Sequence, residues 1–160
     1  MSKKSSETPA TQWLKKHHVS FTEHVYEYAA KGGANDAAHK LGVDPHVTIK
    51  TLIMEDEKKQ PLVILMHGDQ EVSTKNLARQ TGAKHIQPCD PATAQRHSGY
   101  LVGGTSPFGT RKALPVWVQH TILSLDTIYI NGGKRGMLLQ LNPQVLTQQL
   151  AAEPVDVALD

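Results

Sequence analysis

The sequence predicts an α+β fold: a single domain over residues 1–160, with a mixed β-sheet that curves in a barrel-like way around a pocket and is flanked by helices. Three observations lead there. Short apolar stretches of strand length are interspersed with short segments that open on a cap residue and close on glycine. Asn131-Gly132-Gly133 lies between two apolar stretches near the C-terminus and is a hairpin signal, which argues against a purely parallel sheet. Finally, 160 residues suit one hydrophobic core, and no repeat, low-complexity tract or linker divides them.

The elements follow in order. Thr8-Pro9 is a cap with proline at the first helical position, opening a helix through Trp13 and Leu14. Residues 21–28 carry strand character in Phe21, Val25, Tyr26 and Tyr28. Lys31-Gly32-Gly33 breaks the chain, and Asn35-Asp36 is expected to cap a helix ending at Leu41-Gly42. Asp44-Pro45 starts a turn that leads into a strand over 47–54. The charged run 55–60 is a solvated connection, and the continuous apolar run 61–66 reads as a buried strand. Ser73 caps a helix stopped by Gly82, and Asp90-Pro91 opens another that runs to Gly99. Strands are expected over 114–118, 127–130 and 137–141, and Asn142-Pro143 starts a last helix through Leu146 and Leu150.

Composition excludes several functions. No apolar run approaches the ~20 residues that span a bilayer, and the start of the chain lacks the apolar core of a secretory signal, so a cytoplasmic setting without membrane contact is expected. Cys89 is the only cysteine, which excludes an internal disulfide and a cysteine-based zinc site. Nine histidines show no helical metal-ligand spacing, so no metal or other cofactor is expected. A net charge of +2 is too small to argue for nucleic acid on its own.

The richest stretch for function is 99–112. Its glycines free the main chain for close approach to a ligand, Thr105, Ser106 and Thr110 add hydroxyls, and Arg111 and Lys112 add charge. Such a loop can cradle an anion or a carbonyl; the same composition also serves an ordinary surface turn. There is no Gly-Lys-Ser/Thr phosphate loop, and Ser106 does not sit in a Gly-x-Ser-x-Gly elbow. Pro88-Cys89 matches half of a deaminase zinc site whose second cysteine is missing. With no protein nucleophile in view, any reaction must rest on positioning and charge stabilisation.

Four motifs in register carry a resemblance: Tyr100-Leu-Val-Gly-Gly-Thr-Ser-Pro-Phe-Gly109, Lys50-Thr-Leu52, Ala94-Gln-Arg96 ahead of Gly99-Tyr100, and Ile130-Asn-Gly-Gly-Lys-Arg-Gly136. They resemble the YbaK proteins, free-standing Cys-tRNA(Pro) deacylases similar to the editing domain inserted in bacterial prolyl-tRNA synthetases. The resemblance implies that fold, a mischarged tRNA(Pro) 3′ end as substrate, prolyl-tRNA synthetase as partner, and no DNA. It implies a reaction in which the substrate's own thiol attacks the aminoacyl ester. It places Lys50, Gly103 and Gly104 in catalytic roles, and Tyr26, Thr51, Ser106, Asn131, Lys134 and Arg135 in substrate binding, with Cys89 structural. Two departures bear on the amino-acid pocket: Leu138 stands where an acidic residue is expected, and some relatives carry an aromatic near Gly32-Gly33. Deacylation of another mischarged tRNA, or non-catalytic binding of a tRNA end or a synthetase, are the alternatives.

Overall fold

The computed structural model describes residues 7–159; the segment 1–6, on which the reading of the chain start rests, lies outside them. Helix α1 (Pro9–Lys16) opens on Thr8, whose hydroxyl accepts from the Thr11 N–H while the Thr11 hydroxyl receives the Thr8 N–H. Strand β1 (Thr22–Val25) is shorter than the extended stretch expected there. Helix α2 (Gly33–Leu41) differs at its start: the cap is Gly32, without a side-chain bond, and Asn35 and Asp36 lie inside the first turn. Gly33, at φ +66°, lets the chain turn into the helix early, so no polar side chain is needed to begin it.

A 3₁₀ turn (Pro45–Val47), capped by Asp44, delivers β2 (Thr48–Asp56). The charged connection folds around the Asp56 carboxylate, which accepts from the N–H groups of Lys58 and Gln60. Strand β3 (Pro61–His67) follows, then β4 (Glu71–Val72), α3 (Thr74–Thr81), β5 (Ile86–Pro88) and α4 (Pro91–Ser98). Ser73 and Asp90 cap their helices as expected, each accepting from the third N–H of its helix. Strand β6 (Val116–Gln119) begins after Pro115, which has no N–H to donate but whose carbonyl still accepts from Val63. Strands β7 (Ile128–Asn131) and β8 (Met137–Leu141) form the expected hairpin. Helix α5 (Gln144–Gln148) starts later than expected, because Asn142 accepts from the Gln144 N–H and Pro143 becomes the cap. Two unanticipated strands, β9 (Glu153–Val155) and β10 (Ala158–Leu159), finish the described chain.

The main sheet has the order β1-β8-β7-β2-β3-β6-β9, with β5 added beside one end of β2, and it mixes parallel and antiparallel pairs as an α+β sheet should. β4 and β10 form a separate two-stranded ribbon. The apolar run of β3 is continuous because both its faces are covered. Val63 and Leu65 join a large core with Leu14, Phe108, Ile130 and Leu139. Leu62, Ile64 and Met66 join a smaller one under α3, with Leu77 and Ile86.

Candidate active site

Strand β2 is fully paired on one edge and not on the other. Toward β3 the antiparallel ladder runs without interruption from Ile49↔His67 to Glu55↔Pro61. On the opposite edge β2 meets β7 only at Thr48 and Ile49, and β5 only from Met54 to Asp56. Between those contacts lies Lys50 to Ile53, and among the described residues no strand pairs with it there. A cavity of about 840 Å³ occupies this gap, and every residue from Thr48 to Met54 lines it.

Lys50 lines the cavity with its side chain only 18% exposed, its Nζ 3.2 Å from Glu71 Oε2. Next to it, the Thr51 hydroxyl is buried and meets no hydrogen-bond partner among the described residues. Such an atom lacks the ≈1–3 kcal/mol that a buried polar group recovers when paired. Tyr26 enters from the segment after β1, where its N–H bonds the Gly136 carbonyl, and burial raises its hydroxyl pKa. A Cβ at Gly136 would lie 2.8 Å from the Tyr26 carbonyl, so this crossing needs glycine.

The loop after α4 supplies the opposite wall through Val102, Gly103 and Thr105. Two side chains of the β7–β8 turn hold it: Asn131 Nδ2 donates to the Gly103 carbonyl at 3.0 Å, and Arg135 Nε donates to the Val102 carbonyl at 3.0 Å. Arg135 also lies over the Tyr28 ring, 5.1 Å from its centroid. Asn131 and Arg135 thus line the cavity while serving as staples. Gly103, at φ +93°, packs against Tyr28, leaving no room for a Cβ.

Gly104, Ser106 and Lys134 do not line the cavity. Gly104 is buried against the backbone of Lys134 and Arg135, where a Cβ would come within 2.9 Å. Ser106 is fully buried, and its hydroxyl accepts from the Phe108 N–H, shaping the turn from within. The loop's far end is tied down by Tyr100, whose hydroxyl donates to the Phe108 carbonyl.

Three more residues line the cavity: Leu138, which the sequence marks as a departure, and Cys89 and Glu71, which sequence reading does not place there. Leu138, 4% exposed, makes the wall apolar at the position where an acid is expected. Cys89 lines the cavity beside Glu55, and burial together with that carboxylate pushes its thiol up to about 11. It therefore stays protonated at neutral pH. Glu71 reaches Lys50 from β4, which the turn after β3 delivers and which pairs with β10, contacts that no local motif encodes.

Away from the cavity, His46, His67 and Asp69 gather closely. The two imidazoles stack face to face, 3.8 Å apart at 4°, so their in-plane lone pairs run parallel instead of converging on one ion. His67 Nδ1 donates to the His46 carbonyl at 2.6 Å, and Nε2 accepts from the Thr121 hydroxyl at 2.6 Å. This neutral tautomer agrees with a His67 pKa lowered by burial.

The model of the aminoacyl-tRNA editing domain matches residues 30–148, a span that includes β2, both walls of the cavity and the turn that staples them. The chain belongs to the aminoacyl-tRNA editing domain family. A relative in Enterococcus faecalis, named "Putative Cys-tRNA(Pro)/Cys-tRNA(Cys) deacylase EbsC", is 29% identical over 149 residues, 91% of either chain. A proline–tRNA ligase of Desulforamulus reducens is 26% identical over 137 residues, 85% of this chain but only 22% of the ligase. Among solved structures, that of hypothetical protein APE2540 superposes with a TM-score of 0.87 at 22% identity, covering 95% of this editing domain and 100% of the other chain. The α+β fold with its mixed sheet is thus shared. No helix among the described residues is long and apolar enough to cross a membrane.

Proposed function

We propose that the chain is a cytoplasmic trans-editing hydrolase that removes cysteine from mischarged Cys-tRNA(Pro), working beside prolyl-tRNA synthetase as one self-contained editing unit. The observation that carries this reading is Lys50, half-sheltered at the open edge of β2 in a cavity large enough for an aminoacylated terminal nucleoside. An aminoacyl ester is already activated, so holding its carbonyl against a cation and main-chain donors can supply much of the rate. Lys50 serves as that cation, Gly103 offers close main-chain approach, and Tyr26 and the unpartnered Thr51 hydroxyl orient the substrate. Asn131 and Arg135 keep the Gly103 wall in place. Gly104, Ser106 and Lys134 act from behind that wall, the first two by shaping its turn and Lys134 as a cation near the tRNA backbone.

The nucleophile comes from the substrate. Its cysteine sulfur forms a bond to the ester carbonyl carbon, the carbon–oxygen bond to the ribose breaks, and the ribose oxygen takes up a proton. Water then opens the cyclic thioester to free cysteine. Support for this comes from Cys89, whose thiol is held protonated, and from Thr51, whose hydroxyl bonds no base among the described residues. The relative named for Cys-tRNA(Pro) and Cys-tRNA(Cys) points the same way.

Leu138 favours one competing reading, an apolar aminoacyl group such as alanine. Purified protein given Cys-, Ala- and Ser-tRNA(Pro) decides between them. Fastest ester loss from Cys-tRNA(Pro) is expected; fastest loss from Ala-tRNA(Pro) would move the assignment to alanine. Binding without turnover on all three would make this a non-catalytic module.

A further inference from the structure

Glu71 has no part in the roles above, yet it stands at the reacting end of the cavity. Its side chain is 81% exposed, and its single polar side-chain contact among the described residues is Lys50 Nζ, at 3.2 Å. The other acid lining the cavity, Asp36, is already held by Lys40 Nζ at 2.9 Å, and Lys40 does not line the cavity. Glu71 is placed by register: it lies opposite Leu159 in the β4–β10 ribbon, which is anchored further by the Ser73 N–H on the Val157 carbonyl at 2.7 Å.

An aminoacyl ester carries two features in fixed proximity, a carbonyl oxygen and an α-ammonium nitrogen roughly 3 Å apart by standard bond lengths. Lys50 and Glu71 present the complementary charges at nearly that spacing. The Lys50 ammonium has three donors and can bond the carbonyl oxygen as well, while the exposed Glu71 carboxylate keeps acceptor capacity for a second cation. We propose that Glu71 receives the α-ammonium of the aminoacyl group, so that the site selects substrates with a free amino terminus. This rests on the deacylase reading above. A blocked amino group, as on an N-acylated aminoacyl-tRNA, leaves Glu71 facing an uncharged amide, and such a substrate is disfavoured.

The test uses non-hydrolysable analogues: 3′-cysteinylamino-3′-deoxyadenosine and its 3-mercapto-2-methylpropanoyl counterpart, in which a methyl replaces the ammonium. Both are titrated calorimetrically into the full-length protein at pH 6.5, where an α-amino group is protonated. Wild type is expected to bind the cysteinyl analogue about fivefold more tightly, the upper range for an exposed ion pair. In Glu71→Gln that preference should vanish, with affinity for the methyl analogue unchanged. A preference retained in Glu71→Gln, equal binding by wild type, or equal weakening of both analogues overturns the inference. The last outcome would mean that Glu71 merely positions Lys50. Failure of wild type to bind either analogue overturns the inference together with the reading it rests on.

Discussion

Along its β3 edge, β2 is paired at every position from Ile49 to Glu55, while along its other edge the pairing lapses between Ile49 and Met54. The paired edge is backed by β3, whose Val63, Ile64, Leu65 and Met66 are fully buried. The unpaired edge faces a cavity and carries Lys50 and the unpartnered Thr51 hydroxyl. One strand thus does both jobs. Rigidity comes from the continuous ladder and two cores, and the place for a ligand comes from the lapse. A site built on a strand that is locked from one side holds its side chains more precisely than a site on a free loop.

The comparison predicts that the two edges fail differently. Leu65→Ala, on the locked side, should cost about 2–5 kcal/mol of stability by opening a hole in the core, read as a lowered denaturant midpoint. Gly103→Ala, on the loop wall, should cost about 1–2 kcal/mol for placing a side chain at positive φ, and more if Tyr28 cannot move. Its deacylation rate should fall further than that of Leu65→Ala assayed while still folded. If Leu65→Ala spared stability and Gly103→Ala spared activity, the division between the edges would be wrong.

Smaller effects sharpen the contrast through titration. On the cavity side, Cys89 with its thiol near 11 should be alkylated by iodoacetamide ever faster up to about pH 11, with only about one thiolate in a thousand at pH 8. Glu55→Gln should move that profile to lower pH; a wild-type plateau near pH 8.5 would contradict the burial argument. On the locked side, His67 at the end of β3 has its pKa lowered by burial, so the unfolded chain binds its proton more readily than the native one. The neutral imidazole therefore contributes stability that is present above the unfolded value near 6.5 and is lost as pH falls below it. Denaturant midpoints at pH 7.5 and 5.5 should show the drop, and His67→Gln should reduce it.

Much of the locked side is legible in sequence because its signals are local. The apolar run of β3 and the caps Ser73 and Asp90 each announce themselves within a few residues. α2 is less legible: its start is set by Gly33 at positive φ, while the better cap formers, Asn35 and Asp36, fall inside it. β9 and β10 are nearly silent, since Glu153-Pro154 reads as a loop until β6 supplies a parallel partner. At the cavity, motif resemblance locates Lys50, Tyr26 and Gly103. It does not separate a side chain that holds a loop from one that holds a ligand. Asn131 and Arg135 bind carbonyls of the chain itself, and Ser106 is buried inside its own turn. Glu71 is invisible for the opposite reason, since it meets Lys50 through the pairing of β2 with β3 and the turn that follows, which no motif spells out.

Whether the open edge of β2 is where chemistry happens is decided at Lys50. Single-turnover hydrolysis of Cys-tRNA(Pro) by wild type and Lys50→Ala, with the denaturant midpoint of each, is the measurement. The rate should be at least about a hundredfold lower in the variant, as for loss of one group that stabilises a developing oxyanion. Stability should be little changed, because the side chain lines a cavity and packs in neither core. A Lys50→Ala protein that is folded and hydrolyses the ester at the wild-type rate would contradict that placement.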